Sequence, residues 1–303
     1  MSARIVVLGS FNADLVSYMA RMPQRGETVM GDRFITGPGG KGSNQAVAAA
    51  RLGAHVTFIA RVGQDTLAEI GLNLWRAEGI DTSHISRDPN ESTGVASIFV
   101  DHSGHNVIVV TLGANGQLRP AHVDDAEQAI AQADVLLTQL ESPLETVAYA
   151  LKVARSHGVR TIFNPAPARP LDASVLQYVD ILTPNEHELS LVTGEAETAA
   201  ATKKVFANGV QTLIVTFGKQ GAGWQDASGA GALVPAYTVD AVDTVGAGDA
   251  FNGALAVGLA EGKTLEGAIR FANAAAAVSV TRPGAAASMG RRDEVEALIA
   301  AQP

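Results

Sequence analysis

The sequence predicts an α/β fold in which helices cover both faces of a mostly parallel central sheet. Short apolar runs rich in β-branched residues alternate with helix-forming stretches along most of the chain. Hydrophobic residues make up 47% of the 303 residues, aromatic residues only 5%, and glycine occurs 31 times. Small aliphatic side chains with glycine at the turns suit helices packed closely on a buried sheet. We therefore expect a three-layer, Rossmann-like architecture.

Six short runs have the length and composition of strands that are buried on both faces of a sheet. Turn-forming residues bound these runs, and most are followed by a stretch with helical periodicity. We expect strands at Arg4–Leu8, Val56–Ala60, Val135–Thr138, Val159–Phe163, Val179–Leu182 and Thr212–Thr216.

The stretches between and after these runs carry apolar residues at helical spacing. The last two are rich in alanine, the residue with the highest helix propensity. Because helical crossovers return the chain to the same edge of a sheet, this alternation favours parallel strands. The expected helices are Ser43–Leu52, Asp65–Glu78, Ala121–Ala131, Leu144–Ser156, Ala250–Glu261 and Leu265–Val280.

Two segments, at about residues 14–35 and 92–112, show strand-like pairs without an intervening helix. The second carries a turn signal at Asp101–Gly104, which predicts a hairpin. We expect these strands to form a small β-sheet lid over the carboxyl ends of the core strands, where open α/β sheets bind ligands. The alternative is an antiparallel extension of the main sheet. No linker or repeat divides the chain, so residues 1–303 are expected to form a single domain.

Composition and charge disfavour several classes of protein. The absence of cysteine excludes disulfides, a cysteine nucleophile and cysteine-ligated zinc. The 22 Lys and Arg residues against 31 Asp and Glu residues give a net charge of −9, which disfavours nucleic acid and anionic membranes as partners. Neither a signal-peptide pattern nor a membrane-spanning apolar run occurs. We expect a soluble, cytoplasmic protein.

The segment Gly37–Gly42 matches the pattern Gly-x-Gly-x-x-Gly and precedes a predicted helix. A dinucleotide-binding fingerprint should directly follow the first strand, whereas about 28 residues separate this segment from Gly9. A phosphate-binding P-loop fails as well, because Gly42 stands where Ser or Thr would follow the lysine. The run favours a close backbone approach to a polyhydroxylated ligand, with Lys41 and Asn44 as polar partners. A tight turn that only serves helix packing is the alternative.

A second glycine-rich segment, Asp243–Gly253, leads into an alanine-rich helix. Small residues before a helix leave several N–H groups unpaired, and these groups favour a phosphate or a developing negative charge. Asp249 would compete with that anion unless it takes a proton from an attacking hydroxyl while the N–H groups stabilise a phosphoryl group. The alternative role of Asp249 is a helix cap.

The runs DTVGAGDAFNGAL (Asp243–Leu255) and GGKGSNQAVAAARLGA (Gly39–Ala54) resemble the two signatures of the ribokinase-type sugar kinase family. Matching blocks run in order from about residue 9 to residue 288 and so cover almost the whole chain. They are Gly9–Asp14, Gly26–Thr28, Leu140–Glu145, Asn164–Ala168, Thr183–Glu186 and Arg270–Ala274.

The resemblance implies transfer of the ATP γ-phosphoryl group to the 5-hydroxyl of D-ribose, which gives D-ribose 5-phosphate. Related family members act instead on deoxyribose, another sugar or a nucleoside. Asp249 corresponds to the general base, and the N–H groups of Gly246, Ala247 and Gly248 correspond to the anion hole. The implied sugar-binding residues are Asn12, Asp14, Gly40, Lys41, Gly42, Ser43, Asn44, Glu141 and Asp249.

The resemblance also implies a nucleotide site, Mg²⁺ bound with ATP, and an activating K⁺ ion. Glu188 corresponds to a residue that contacts magnesium through water. The implied ATP-binding residues are Asn185, Thr216, Phe217, Gly218, Lys219, Gln220, Gly221, Gly248, Asp249 and Asn273, where many members carry His in place of Asn273. The implied monovalent-cation site comprises Asp243, Val245, Ser279, Arg282, Gly284 and Ser288.

Family members commonly pair through their lids, so the resemblance implies a homodimer. Two other classes stay open at this point: a sugar or nucleotide sensor without catalysis, and a nicotinamide-dependent oxidoreductase. The intact Gly-Ala-Gly-Asp element disfavours the first, and the misplaced glycine fingerprint disfavours the second. His102 and His105 flank the predicted lid turn without a third ligand at metal-binding spacing, and we expect them to be solvated.

Overall fold

The computed structural model describes residues 3–302, and its strands form two separate sheets. The strands are β1 (Arg4–Leu8), β2 (Asn12–Met19), β3 (Gly31–Gly39), β4 (His55–Gly63), β5 (Ile85–Asp88), β6 (Gly94–Asp101), β7 (Asn106–Thr111), β8 (Val135–Thr138), β9 (Arg160–Phe163), β10 (Ile181–Leu182), β11 (Thr212–Thr216), β12 (Ala222–Asp226) and β13 (Gly231–Val234).

Helices connect most strands of the larger sheet, and short 3₁₀ turns occur at Gly113–Gln117, Gly218–Gln220 and Ala286–Ser288. The α-helices are α1 (Lys41–Arg51), α2 (Thr66–Ala77), α3 (Pro120–Asp124), α4 (Glu127–Ala131), α5 (Leu144–Ser156), α6 (Ala173–Leu176), α7 (Glu186–Thr193), α8 (Thr198–Ala207), α9 (Ala247–Ala260), α10 (Leu265–Ser279) and α11 (Arg292–Ala301). No helix within residues 3–302 is long and apolar enough to cross a bilayer.

The larger sheet has nine strands in the order β13-β12-β11-β10-β9-β8-β1-β4-β5. All neighbours from β11 to β5 pair in parallel, whereas β12 and β13 pair antiparallel at one edge. The predicted mostly parallel sheet is therefore confirmed. The sequence analysis did not predict the β11–β12–β13 meander, whose outer strand is short and mostly exposed.

Helices cover both faces of this sheet, as the predicted three-layer arrangement requires. Alternate residues of β1 divide between two apolar cores: Ile5 and Val7 face one, and Val6 and Leu8 face the other. Helices α1, α2, α9, α10 and α11 pack in the first core, and α3 to α8 pack in the second. Because helices cover both faces of the sheet, the central strands consist of continuous apolar runs.

Three aromatic side chains, including Trp75 of α2, form a buried cluster beside β1 and β4. Trp75 is fully buried, and its ring meets those of Phe11 and Phe58 edge to face at centroid distances of 5.2 and 5.1 Å. Edge-to-face packing of this kind adds to the free energy gained by burial. Phe11 follows β1, so this cluster fixes the point where the chain leaves the larger sheet and enters the smaller one.

The second sheet has four strands in the order β3-β2-β6-β7 and is separate from the larger sheet. Strands β2 and β3 pair antiparallel, β2 and β6 pair in parallel, and β6 and β7 form the predicted hairpin. The alternative, an antiparallel extension of the main sheet by these segments, is wrong. Strand β2 begins directly after the polar turn that follows β1, so the small sheet rises from the carboxyl edge of the larger one.

Two expected elements differ in detail. The helix expected over Ala121–Ala131 is two short helices, because the backbone leaves helical geometry at Ala126 (φ −105°, ψ 3°). The strand expected at Val179–Leu182 pairs only over Ile181–Leu182. Strand β5 and helices α6, α8 and α11 were not predicted.

Candidate active site

Polar side chains collect at the carboxyl ends of the parallel strands, where the small sheet also begins. Ser10 follows β1, Glu141 follows β8, Asn164 follows β9 and Thr183 follows β10. All four are buried. Adjacent parallel strands end at the same edge, so residues far apart in sequence meet at one site.

Asp249 lies in the first turn of α9 and is buried. Its two carboxylate oxygens each accept a hydrogen bond from an amide side chain of α1. Asn44 Nδ2 donates to Oδ2 at 2.9 Å, and Gln45 Nε2 donates to Oδ1 at 3.0 Å. Asn44 Oδ1 is buried without a hydrogen-bond partner among residues 3–302, which leaves one acceptor beside Asp249 for a ligand hydroxyl.

The start of α9 also presents backbone donors. Within residues 3–302, the N–H groups of Gly248 and Asp249 have no hydrogen-bond acceptor. A Cβ atom at Gly248 would meet no atom within 4 Å, so the helix start faces open space. Unpaired N–H groups and the helix dipole together give this space a positive potential beside the Asp249 carboxylate.

Glu141 is the centre of a second polar cluster, at the start of α1. Its Oε2 accepts hydrogen bonds from Ser10 Oγ at 2.5 Å, from the Lys41 N–H at 2.9 Å and from Asn12 Nδ2 at 3.4 Å. These donors come from the β1–β2 turn and the start of α1. Glu141 therefore joins the connection between the two sheets to the glycine-rich segment.

Asn115 fixes the orientation of Asn12. The buried Asn115 amide accepts from the Phe11 N–H at 3.0 Å and donates to the Phe11 carbonyl at 2.8 Å. Its Nδ2 also donates to Asn12 Oδ1 at 3.0 Å. Asn12 is thereby held with its Nδ2 toward Glu141. Because Asn115 follows β7 and Asn12 begins β2, this contact ties the start of β2 to the segment that follows β7.

Lys41 lies between the two acidic clusters. Burial opposes the charge of its ammonium group, but the carboxylates of Asp249, Glu141 and Glu188 outweigh burial and raise the Lys41 pKa. Lys41 therefore stays protonated and gives positive charge to the space enclosed by the three carboxylates.

Asp14 lies on β2, near Glu141. Burial, with the nearby charge of Glu141 as the second cause, raises the pKa of Asp14 to about 7. A carboxyl group with this pKa exchanges its proton near neutral pH. It can therefore either donate a hydrogen bond to a ligand hydroxyl or accept one from it.

The glycine-rich segment approaches protein backbone closely. Gly40 has φ +87°, and a Cβ there would lie 2.6 Å from the Asn12 nitrogen. A Cβ at Gly42 would lie 2.5 Å from the Ser10 nitrogen. Both glycines thus let the start of α1 lie directly on the β1–β2 turn. The tight-turn interpretation explains these two positions, while Lys41 and Asn44 supply the polar groups.

Ser43 is the predicted sugar-binding residue that the structure does not bring to the polar cluster. Its hydroxyl accepts a hydrogen bond from Trp75 Nε1 at 2.9 Å, and its side chain is fully buried in the core beneath α1. Helical geometry explains this, because consecutive residues of α1 point in different directions.

The predicted nucleotide-binding residues Asn185 and Glu188 form a reciprocal cap at the start of α7. Asn185 Oδ1 accepts from the Glu188 N–H at 2.8 Å, and Glu188 Oε2 accepts from the Asn185 N–H at 2.8 Å. Asn185 also bridges to Thr216, so α7 starts beside the end of β11. The predicted loop, Phe217–Gly221, continues from that point and is closed by a hydrogen bond from the Phe217 N–H to the Gly221 carbonyl at 2.8 Å.

Asn273 lies on α10 and is buried against the segment that follows β13. Its Nδ2 donates to the Val234 carbonyl at 2.9 Å and to the Pro235 carbonyl at 3.1 Å. The structure therefore uses both amide hydrogens of Asn273 to hold this backbone beside the Phe217–Gly221 loop.

The six residues predicted to bind a monovalent cation lie on the loop before α9, at the end of α10 and on the loop that follows α10. Asp243 joins the two loops, because its carboxylate accepts from the Val245 N–H at 3.0 Å and from the Gly284 N–H at 2.9 Å. The Ser279 and Ser288 hydroxyls each donate to a backbone carbonyl at 2.8 Å. The Arg282 side chain points to Glu294, 2.9 Å away, so only its backbone is available to a cation.

His102 and His105 are exposed, as expected, and His102 Nε2 lies 2.8 Å from Asp32. Within residues 3–302, no group of three or more His, Cys, Asp or Glu residues could hold a metal ion.

Sequence reasoning missed several polar residues that complete the site. Ser10, Gln45, Asn115, Gln139 and Asn164 are all buried and hydrogen-bonded to predicted site residues or to one another. One signal was available: Gln139 and Asn164 directly follow buried apolar strands, where the sequence changes to polar residues. Asn115 had no such signal, because its partner is the backbone of Phe11.

Comparison with known proteins identifies the class of protein to which this buried carboxylate and these open helix N–H groups belong. The family model described as pfkB family carbohydrate kinase matches residues 2–291. The chain belongs to this family of carbohydrate kinases.

Within the family, the chain is similar to ribokinases. It is 44% identical to the ribokinase of Bacillus subtilis over 295 residues, which cover 97% of this chain and 99% of that protein. It is 39% identical to the deoxyribokinase of Salmonella typhi over 290 residues, 94% of each chain. The structure of Arabidopsis thaliana ribokinase complexed with ribose and ATP superposes with a TM-score of 0.92 at 33% identity, covering 99% of both chains.

The raised pKa of Asp14 predicts a pH-dependent cost in stability. The unfolded chain loses the Asp14 proton near pH 4 and the folded chain only near pH 7, so the free energy of unfolding falls as pH rises between these values. We expect Asp14→Asn to gain about 2–3 kcal/mol relative to the unaltered protein between pH 5 and pH 8. Urea denaturation at both pH values measures this difference. An Asp240→Asn variant, at an exposed position, controls for loss of a carboxylate. If the difference in the free energy of unfolding between Asp14→Asn and the unaltered protein does not change with pH, the raised pKa of Asp14 is contradicted.

Proposed function

We propose that this chain transfers the γ-phosphoryl group of ATP to the 5-hydroxyl of D-ribose and so forms D-ribose 5-phosphate. The observation that carries the proposal is the start of α9, where the buried Asp249 carboxylate stands beside N–H groups that face open space. Membership of the carbohydrate kinase family and similarity to ribokinases along almost the whole chain support it.

Asp249 acts as the general base in this proposal. The attacking sugar hydroxyl gives its proton to the carboxylate as its oxygen bonds to the γ-phosphorus and the bond to the ADP oxygen breaks. Asn44 and Gln45 hold the carboxylate from one side, and the open space lies on the other. Asp249 is not the cap of α9, because Gly246 occupies that position and no side chain caps the helix.

The N–H groups of Gly246, Ala247 and Gly248 form the proposed anion hole. The phosphoryl group carries its charge on three oxygens in the transition state, and fixed N–H donors stabilise this charge without reorganisation. The Ala247 N–H has only a long contact to the Thr244 carbonyl, 3.3 Å, and the Gly248 N–H has no acceptor within residues 3–302. Backbone donors also explain how a chain with net charge −9 can bind a nucleotide.

The sugar lies between the Asp249 and Glu141 clusters in this proposal. Carboxylates and amides there can satisfy hydroxyl groups that both donate and accept, and Lys41 supplies one further donor. Binding of the ring holds the 5-hydroxyl next to Asp249 and orients it for in-line attack. The contributing residues are Asn12, Asp14, Gly40, Lys41, Gly42, Asn44 and Glu141; Ser43 contributes through its backbone position only.

ATP lies along the loop between β11 and β12 in this proposal, with its phosphates directed toward α9. Thr216, Phe217, Gly218, Lys219, Gln220 and Gly221 border the nucleotide, and Asn185 approaches its phosphates. Asn273 acts indirectly, because its amide holds the backbone at Val234 and Pro235 against this loop.

Mg²⁺ is the divalent ion expected with ATP, and the residues present fit an ion that is held mainly by phosphates and water. Glu188 has one carboxylate oxygen committed to the Asn185 N–H, which leaves the other for a water ligand. Mg²⁺ retains several waters and seldom needs a complete protein cage. When bound, the ion neutralises phosphate charge.

A K⁺ site beside the anion hole also fits the donor set. The carbonyl oxygens of Val245, Ser279 and Gly284 accept no backbone N–H from residues 3–302, and Asp243 adds one negative charge. Arg282 contributes its carbonyl, and Ser288 contributes its hydroxyl oxygen. A bound monovalent cation would add positive charge next to the N–H groups at the start of α9.

The small sheet serves as the lid and as the dimer interface in this proposal. Strand β7 is the edge strand of this sheet, and Val107, Ile108, Val109 and Val110 are each at least 43% exposed. An exposed apolar edge strand favours pairing with a second copy. Closure of the lid would exclude water, which could otherwise accept the phosphoryl group.

A substrate panel tests the proposed acceptor. We expect the highest kcat/KM with D-ribose among ribose, deoxyribose, fructose and adenosine, with turnover that requires Mg²⁺ and rises when K⁺ is added. A coupled assay of ADP release measures this. Deoxyribose is the main alternative acceptor, since a deoxyribokinase is 39% identical to the chain. A higher kcat/KM with deoxyribose would overturn the assignment of ribose.

Replacing Asp249 tests the proposed base. We expect Asp249→Asn to lower kcat by about 10²–10⁴-fold, because the attacking hydroxyl loses its proton acceptor. Ribose and ATP affinities, measured by calorimetry, should change by less than about fivefold, because the amide keeps the size and shape of the carboxylate. Asp240→Asn serves as the matched control and should keep full activity. Turnover of Asp249→Asn within a fewfold of the original rate would exclude Asp249 as the base.

Replacing an exposed residue of β7 tests the proposed interface. We expect Val109→Lys to convert the dimer into a monomer, because the substitution places a charge on the apolar edge strand. Light scattering after size-exclusion chromatography measures the mass. Leu233→Lys is the control, since Leu233 on β13 is similarly exposed (60% against 55% for Val109) but lies in the other sheet. A mass that Val109→Lys leaves unchanged would argue against pairing through β7.

A further inference from the structure

The amide side chain of Gln45 connects Asp249 to a chain of buried polar groups that no proposed ligand touches. We propose that Gln45 is a positioning residue, which holds the Asp249 carboxylate in the orientation needed to accept the sugar proton. The inference rests on the proposed role of Asp249 as the base. Gln45 is completely buried, so it acts through Asp249 and not on the substrate.

Every hydrogen-bonding atom of the Gln45 amide is used. Its Nε2 donates to Asp249 Oδ1 at 3.0 Å and to Asn164 Oδ1 at 3.2 Å. Its Oε1 accepts from Gln139 Nε2 at 2.6 Å. Gln45 therefore has one donor group facing two acceptors and one acceptor facing a donor.

This pattern permits only one orientation of the Gln45 amide. A flipped amide would place its oxygen against the oxygens of Asp249 and Asn164 and its NH₂ group against that of Gln139. Buried polar groups without partners cost free energy, so three mismatched contacts would exclude the flipped state. The Asp249 carboxylate, which can only accept, thus fixes the orientation of the Gln45 amide, and Gln139 donates to the oxygen at its other end.

The polar chain returns to the same helix that carries Asp249. Asn164 Nδ2 donates to the Thr183 carbonyl at 3.0 Å, and Thr183 Oγ1 donates to Asn252 Oδ1 at 2.6 Å. Asn252 Nδ2 then donates to the Gly248 carbonyl at 2.8 Å. One connected network therefore holds both the carboxylate of Asp249 and the first turn of α9, whose N–H groups face the open space.

The backbone of Gln45 is held as firmly as its side chain. Gly253 lies four residues after Asp249 on α9, and a Cβ there would lie 2.8 Å from the Gln45 carbonyl oxygen and 2.7 Å from Ala48 Cβ. Only glycine permits this approach of α9 to α1. The distance from Gln45 to Asp249 is thus fixed by helix packing.

Asn44 and Gln45 have different roles at Asp249. Asn44 bonds Oδ2 and keeps an unpartnered Oδ1, so it also suits contact with a ligand hydroxyl. Gln45 bonds Oδ1 and has no atom free for a ligand. Loss of the Gln45 amide should therefore affect the chemical step more than sugar binding.

The direction of the expected change in the pH profile follows from the hydrogen bond. An N–H donor favours the ionised form of a carboxylate, so loss of the Gln45 donor should move the acid limb of the kcat–pH profile to higher pH. The other charged group facing Asp249 is Lys41 on α1, which in turn faces Glu141 and Glu188. None of these side chains is bonded to Gln45, so they stay in place when its amide is removed.

Gln45→Met tests the proposal, because methionine has a similar length but no donor. We expect kcat to fall about 10–100-fold while KM for ribose and for ATP changes less than about threefold. The acid limb of the kcat–pH profile should move to higher pH by about 0.5–1 unit. Thr146→Val is the matched control, since it removes one buried hydrogen bond, to the Leu118 carbonyl at 2.9 Å, away from the site. This control should leave kcat and the acid limb unchanged.

Gln139→Met provides a second test of the positioning role of Gln45, and it is the deciding test if Gln45→Met does not fold. It should lower kcat and move the acid limb in the same direction by a smaller amount, because Gln139 acts only through Gln45. The double variant should match Gln45→Met alone. An unmoved acid limb with kcat within twofold of the original value, in the variants that fold, would overturn the proposal. Asp249→Asn separates the two hypotheses: if that variant loses turnover while the Gln variants do not, Asp249 is the base and Gln45 does not position it.

Discussion

The site depends on the close contact between helices α1 and α9. Gly253 and Ala48 let the two helices approach so closely that a single added Cβ would overlap the backbone of α1. This contact brings the amides of Asn44 and Gln45 to the two oxygens of Asp249. A wider separation would leave a buried carboxylate without donors, which is costly in a protein interior. Both helices are rich in alanine, and these small side chains permit the close contact.

The same packing brings positive charge and N–H donors close to a group of carboxylates. The chain carries a net charge of −9 and concentrates Asp14, Glu141, Glu188 and Asp249 around one pocket. Lys41 lies among these carboxylates, and the open N–H groups at the start of α9 add positive potential without a basic surface. The small sheet is joined to this pocket through Asn115, whose amide bonds the Phe11 backbone and Asn12. Movement of that sheet is therefore linked to the residues proposed to bind the sugar.

Sequence reasoning predicted the parallel sheet, the separate small sheet and the two glycine-rich segments, because each rests on local periodicity or on a motif. It did not find Gln45 or Asn115, since their partners are distant in sequence and their roles appear only when helices and strands are packed. It included Ser43 because of its neighbours in the motif, whereas helical geometry turns that hydroxyl to Trp75. It missed β12 and β13, which are short and each contain a glycine. Local signals thus predicted the helices, strands and sheets, and the contacts between these elements determined which side chains reach the site.

The central claim is that Asp249 and the start of α9 act together on one sugar hydroxyl and one phosphate. A crystal structure with ribose and a non-hydrolysable ATP analogue tests this claim most directly. The account predicts the ribose 5-hydroxyl at about 2.6–3.2 Å from an Asp249 carboxylate oxygen. It also predicts the terminal phosphate within hydrogen-bond distance of the Gly248 N–H. A complex in which the 5-hydroxyl lies away from Asp249, or in which the phosphates do not reach the start of α9, would contradict the account.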